Sequence, residues 1–347
     1  MSKQLDVNLI VDSKIRVSGI KFYDVNSEPF SIHGIWYGGD RFYRVPLEVG
    51  REVSKSVEVK SHQTAGGRLR FRTDSPYVAI KATLESTEQV AVMTPLSTMG
   101  FDLYADGIYI RSFVPPYSQT DGDFESLVRI GDRREREITI HFPLYSGVTT
   151  MVIGIDGDST LTAAAPYKYE KPVVFYGSSI TNGASASRPG MSYEAILSRM
   201  LDMDHHNLGF GGSAKAEPAI ARYVASLDMS AFVYDYDHNA PTVEYLAETH
   251  ERMFRTVREA HPDLPIIMIS RPQFSAESDR DRRFEVIKAT YDKAVAVGDK
   301  NVYLLRGSDF FEGLDADFTV DGVHPTDLGF YFMAKGICPV LKRILES

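Results

Sequence analysis

Two serines stand side by side in GSSITNG (177–183), and a histidine follows an aspartate by three residues in DGVHPTDLGFYFMA (321–334). A serine hydroxyl is a poor nucleophile until a base takes its proton, and a neutral imidazole is such a base when a carboxylate holds its other nitrogen. Asp321 is close enough in sequence to accept from one ring nitrogen of His324 and leave the other free. Attack on a carbonyl also needs donors for the oxygen that gains charge. NLGFGGSA (207–214) offers glycines whose N–H groups can approach an oxygen with no Cβ in the way, and DYDHNAP (235–241) offers the amide of Asn239. Each stretch also has a plainer reading. The serines could cap a helix, the glycines make a turn, Asn239 cap the helix after Pro241, and Asp321 and His324 pair at the surface. GSSITNG departs from the G-x-S-x-G elbow, because Thr181 occupies the place of the last glycine. Local sequence does not choose between Ser178 and Ser179.

The elements that must position these residues change rhythm along the chain. From about residue 15 to 160, short β-type runs such as RLRFRT (68–73), YVAIKATL (77–84), EITIHF (137–142) and TMVIGID (150–156) alternate with Gly, Pro and Asp, with no convincing helix between them. Asp106-Gly107 inside FDLYADGIYIRSF (101–113) marks a hairpin. These features predict an antiparallel β-sandwich of jelly-roll type over 1–165. After AAAPYKYEKP (163–172), read as a linker, apolar strands alternate with helices over 170–347. The strands are VVFY (173–176), a short one near His206–Leu208, AFVYDY (231–236), PIIMIS (265–270) and NVYLL (301–305). One helix face carries Tyr193, Ile196, Leu197 and Met200; the next carries Val243, Leu246, Met253, Phe254 and Val257; a third carries Phe284, Ile287, Tyr291 and Val295 and stops at Gly298. The pattern predicts a parallel sheet covered on both sides, an α/β fold whose ligands sit beyond the carboxyl ends of the strands. Three of the four chemical stretches follow a predicted strand.

Composition narrows the partners. With 38 Lys+Arg against 47 Asp+Glu and no basic block, nucleic acid and anionic membranes are not expected as partners. No window has the length of a membrane span, and the N-terminus lacks a signal-peptide pattern, which gives a cytoplasmic expectation. The single cysteine, Cys338, falls in the apolar pattern of the last helix and is expected to be buried. His205-His206 and His250-Glu251 lack zinc-type spacing, so they are read as surface or satisfied core, and no metal or cofactor is expected.

Taken together, the four stretches resemble the blocks of the SGNH hydrolases, the GDSL-type esterases, across roughly residues 172 to 345. That family reads G-D-S, N-x-G-x-x-G, G-x-N-D and D-x-x-H where this chain has Gly177-Ser178-Ser179, Asn207 to Gly212, Asp237-His238-Asn239-Ala240 and Asp321-Gly322-Val323-His324. The resemblance implies a flavodoxin-like α/β/α domain, with Ser179 as nucleophile, His324 as base and Asp321 as its orienting partner. It implies an oxyanion hole of the Ser179 and Gly212 backbone N–H groups and the Asn239 amide. Ser178 replaces the family's Asp, Ala240 replaces another, and the third block lacks its leading glycine. Gly100-Phe101-Asp102-Leu103-Tyr104 is similar to the G-x-D-L-Y signature of β-sandwich domains that precede some such hydrolases.

The resemblance implies ester hydrolysis through an acyl-enzyme, and the two-part layout is similar to that of carbohydrate esterases, so a sugar O-acetyl group is the expected substrate. The alternatives are an esterase or thioesterase of small molecules, and a non-catalytic glycan-binding protein with a degenerate hydrolase domain. Trp36, Tyr37, Phe42 and Tyr43 in HGIWYGGDRFYRVP (33–46) are either a sugar-stacking surface or sandwich core.

Overall fold

A computed structural model describes residues 14–87, 90–116, 122–272, 279–311 and 316–347. The N-terminal stretch read for a signal peptide lies largely outside them.

Two larger antiparallel sheets form the body of the first part, beside a two-stranded ribbon of Trp36–Tyr37 and Phe42–Tyr43. One joins Ile20–Asp24, Val148–Asp156, Tyr77–Leu84 and Asp123–Arg129 in that order. The other joins Leu161–Thr162, Arg68–Thr73, Arg136–His141, Phe101–Ala105 and Ile108–Phe113, with Ser31–His33 also on Arg68–Thr73. Strand residues alternate between faces, so Leu69, Phe71, Ile80, Ile138, Ile140 and Ile153 meet in the space between the sheets. Arg68, Arg70, Thr139 and His141 fall at the intervening positions. Asp106 and Gly107 both take positive φ (52° and 76°), the two-residue hairpin their dipeptide predicts.

Three short helices that periodicity did not predict interrupt this part: Leu47–Val53, Lys55–Lys60 and Pro95–Met99. For the last two the signal lay in capping, whereas Leu47–Val53 follows Pro46 with no side-chain cap. Ser54 accepts from Val57 N–H at 3.2 Å, and Thr94 accepts from Ser97 N–H at 3.1 Å ahead of Pro95. The aromatic stretch divides: Phe42 and Tyr43 are buried, Tyr37 is half-buried and Trp36 is exposed.

The second part is a five-stranded parallel sheet in the order Met203–Gly209, Tyr169–Gly177, Ala231–Asp235, Ile266–Ile269, Val302–Leu305. Its first strand begins inside the stretch read as a linker, where Tyr169 pairs with Met203. Val174 and Tyr176 face one core, with Leu246, Met253 and Val257 of the helix Val243–Ala260. Val173 and Phe175 face the other, with Leu197 of Tyr193–Leu201 and Met333 and Ile337 of Asp327–Leu345. Burial on both sides explains why these strands read as continuous apolar runs. Two predicted face positions differ: Met200 and Val295 are exposed, and Ala294 takes the inner position beside the latter. Cys338 is half-buried rather than buried.

Because the second and third strands lie on opposite sides of the first, the loops leaving the first and third diverge. Such a switch point opens a crevice at the carboxyl edge.

Candidate active site

The loops at that edge carry Ser179, Gly212 and Asn239, and the loop before the last helix brings His324 to the serine. Ser178 and Ser179 divide the two readings between them. Ser178 is the N-cap of the one-turn helix Ser179–Asn182, its hydroxyl accepting from Ile180 N–H at 3.1 Å. Ser179 Oγ lies 2.8 Å from His324 Nε2. The turn ends at Gly183, whose φ of 92° is a left-handed C-cap.

His324 Nδ1 lies 2.7 Å from Asp321 Oδ2, while Asp321 Oδ1 accepts from the N–H groups of His324 (2.8 Å) and Val323 (3.0 Å). Burial pushes the Asp321 carboxyl up, but those backbone donors and the imidazole outweigh it and hold it below its ordinary value. An ionised Asp321 only accepts, so the imidazole proton sits on Nδ1 and Nε2 is bare toward the serine hydroxyl. The relay can take the Ser179 proton as the oxygen attacks an acyl carbon.

The glycine loop is tightly seated. A Cβ at Gly209 would lie 2.2 Å from Asn182 N, and one at Gly211 would lie 3.3 Å from Ser179 Cβ. Gly212 takes φ +70° with open space where a Cβ would stand, so its backbone conformation rather than crowding selects glycine there. Asn239 is not the cap of the following helix: Thr242 holds that position, accepting from Tyr245 N–H at 3.1 Å. The Asn239 Oδ1 instead accepts from Ala214 N–H at 3.3 Å, which leaves the NH₂ end as a donor.

The replacements in the third block are absorbed locally. Asp237 is buried and accepts from Arg271 N–H at 3.1 Å, and Arg283 donates to the carbonyls of Asp237 (2.6 Å) and Ala240 (3.0 Å). Beneath the serine turn, Thr181 Oγ1 donates to Asp235 Oδ1 at 2.5 Å, and Tyr193 donates to Oδ2 at 3.3 Å. Burial pushes the Asp235 carboxyl up to about 8. His205 and His250 are core residues: Arg68 donates to His205 Nε2 at 2.9 Å while His205 Nδ1 is buried without a partner among the described residues, and His250 Nδ1 meets Thr290 Oγ1 at 2.9 Å.

Sequence reasoning missed the residues that the sandwich sends to this site. Arg44, fully buried, donates to the carbonyls of Gly209 (3.0 Å) and Asn207 (3.3 Å), and so holds the end of the second strand. Burial lowers its guanidinium to about 9, which leaves it charged at neutral pH. Asn207 donates to Thr181 carbonyl at 2.6 Å and ties that strand to the serine turn. Tyr145 Oη would lie 3.2 Å from a Cβ at Gly211, so the phenol and Ser179 flank the same glycine. The G-x-D-L-Y signature also reaches across. Asp102 accepts from Arg188 (2.7 Å), Gly190 N–H (2.8 Å) and Ser112 (2.6 Å), and Arg188 also donates to Tyr104 Oη at 2.6 Å. The signature is an interface clamp on the loop that follows the serine turn. No local pattern marks Arg44 or Tyr145, because their partners lie far away in sequence.

Comparison with known proteins agrees with this architecture. Residues 170–342 match a model of the GDSL-like lipase/acylhydrolase family, and residues 20–161 match one described as the N-terminus of SGNH-hydrolase-type esterases. A search of curated proteins finds no match. Among solved structures, a protein described as a GDSL-like lipase from Bacteroides ovatus is 31% identical, with a TM-score of 0.83 over 94% of this chain and 98% of that one. The salicylyl-acyltransferase SsfX3 of a tetracycline biosynthetic pathway is 19% identical, with a TM-score of 0.77 over 92% and 96%. An acetyl xylan esterase from Butyrivibrio proteoclasticus is 13% identical, with a TM-score of 0.63 over 95% and 99%. The last two likenesses concern the fold alone.

Proposed function

The chain belongs to the GDSL-like lipase/acylhydrolase family, whose fold is that of hydrolases acting on esters, and from that premise we propose that it is a serine esterase removing O-acetyl groups from a carbohydrate. The observation that carries the reading is the relay from Ser179 through His324 to Asp321, at 2.8 and 2.7 Å. In this reading Ser179 Oγ attacks the acyl carbon while His324 Nε2 takes its proton, and Asp321 stabilises the imidazolium that results. The backbone N–H groups of Ser179 and Gly212 and the NH₂ of Asn239 receive the oxyanion. His324 then returns the proton to the departing alcohol. Water, deprotonated by the same imidazole, releases the acid from Ser179.

Two features support a short acyl group on a sugar. The Tyr145 phenol sits beside Gly211 on the side of the nucleophile, where a large acyl chain would have to pass it, and an acetyl xylan esterase shares the two-part architecture. The test is acetate release from acetylated oligosaccharides, together with turnover of p-nitrophenyl acetate and p-nitrophenyl octanoate. Acetate release with little octanoate turnover is expected. Turnover of the nitrophenyl esters alone, or of an acyl thioester assayed beside them, would favour an esterase or thioesterase of small molecules. A folded sample that hydrolyses none of them would support the glycan-binding alternative.

A further inference from the structure

The outer face of the second sandwich sheet packs toward the helix Tyr193–Leu201 around a cavity of about 270 Å³, whose wall includes Arg68, Arg70, His141, Tyr104, Tyr167 and Arg199. The strand pattern puts them together: in RLRFRT, Leu69 and Phe71 enter the sandwich core, so Arg68 and Arg70 face the other way. The cavity shares no wall residue with the site around Ser179.

The guanidiniums differ in how far they are satisfied. Arg68 is fully engaged, contacting Asp204 and donating to the His205 carbonyl (3.0 Å), His205 Nε2 (2.9 Å) and Tyr167 Oη (3.1 Å). Arg70 is 3% exposed and spends one nitrogen on Glu137 at 2.5 Å, while its Nε and Nη1 have no partner among the described residues. Arg199 makes no ion pair among the described residues, and its Nη1 is buried without a partner. His141, also 3% exposed, has an unpartnered Nε2. Stacking covers part of the need: Arg70 lies 3.9 Å over the Tyr167 ring and Arg199 lies 4.5 Å over Tyr104. Such contacts offset only part of the cost of burying an unpaired charge. The carboxylates at the wall leave those nitrogens unmet. Glu137 also receives Ala165 N–H (3.1 Å) and faces Arg72 (3.5 Å), and Asp202 receives Lys168 N–H (3.2 Å).

We propose that this cavity binds a small oxyanion, a phosphate or carboxylate group, through Arg70 and Arg199, with Tyr104 and Tyr167 as its aromatic walls. Drug-sized sites occupy roughly 300–1,000 Å³, so the space suits a compact anion and not a polymer. The ligand joins the two halves of the chain, since Arg70 belongs to the sandwich and Arg199 to the parallel-sheet part.

The test titrates inorganic phosphate, and separately malonate, into the full-length protein by calorimetry at fixed ionic strength with chloride as the control anion, and follows melting in parallel. Saturable binding of at least one anion is expected, with a melting temperature that climbs as its concentration rises. Phosphate alone would assign a phosphate group, malonate alone a carboxylate, and either result upholds the site. Arg199→Gln and Arg70→Gln should each weaken binding at least tenfold. If Arg70→Gln fails to fold, Arg199→Gln decides, because that side chain is only partly buried. No saturable binding by the wild type, or binding unchanged in a folded Arg199→Gln, overturns the proposal.

Discussion

At the scale of single residues, the two serines make separate contacts that their shared chemistry conceals, Ser178 with Ile180 N–H and Ser179 with His324. If Ser179 is the nucleophile, Ser179→Ala abolishes labelling by a fluorophosphonate probe. Ser178→Ala keeps the label and loses about 1 kcal/mol of stability with its cap. A labelled peptide modified at Ser178 would reverse the assignment. Asp235, beneath the same turn, offers a test through pH. Its carboxyl is raised to about 8 by burial, against about 4 for an unfolded chain, so between these values the folded state holds a proton that the unfolded state has lost. Its stabilising contribution is complete below about pH 4 and disappears as pH climbs through about 8. Relative to Asp235→Asn, the wild type should therefore lose up to about 1.4 kcal/mol per pH unit across that window. Urea denaturation of both proteins at several pH values measures the difference, and parallel profiles would mean that Asp235 is ionised in the native state.

Elements decide which polar side chain is structural and which is free to act. The helix Val243–Ala260 is capped by Thr242, so Asn239, three residues earlier, is released from the role its position in sequence suggests. Asn239→Ala should lower kcat by about two to three orders of magnitude with a small change in KM, as removal of an oxyanion donor does. Thr242→Ala should do the reverse, costing about 1 kcal/mol of stability with turnover nearly intact. Kinetics and melting on the two variants separate the roles. If Asn239→Ala turns over normally, the amide has no part in the oxyanion hole. The glycine loop belongs to the same scale: Gly209 packs on Asn182 so closely that no side chain fits, which presses the end of the second strand against the serine turn.

The whole molecule behaves as two folds with a shared seam. Val45 and Val57 of the first part join one core of the parallel sheet, and Ala65 and Leu144 join the other. Arg44 supports the glycine loop, and Asp102 clamps Arg188 and Gly190. Breaking a buried ion pair by removing one partner costs about 3–5 kcal/mol. Asp102→Ala, at a side chain with no exposure, should lose stability on that scale and raise amide exchange in residues 184–191. A loss below about 1 kcal/mol would mean that the signature aspartate does not hold the two parts together.

Much of this was legible in the linear chain because it depends on short-range periodicity. RLRFRT and YVAIKATL are strands to the residue, Asp106-Gly107 is the hairpin, and four of the parallel strands fall where the apolar runs do, while the edge strand Met203–Gly209 is polar and longer than the short one read near His206–Leu208. Asp321 and His324 were readable as a pair because one turn of loop brings them together, and the four blocks named the family without coordinates. Other features depended on distance. The three short helices of the sandwich lack enough residues for periodicity, and only two of them show in a side-chain cap. The burial of Ala294 in place of Val295 depends on how far the helix turns against its neighbours. Arg44, Tyr145 and the cationic cavity arise because long side chains from one fold meet loops and helices of the other. The choice between the serines is also tertiary, since the two hydroxyls have the same chemistry. Only the position of His324, 145 residues further along the chain, sets Ser179 apart from Ser178.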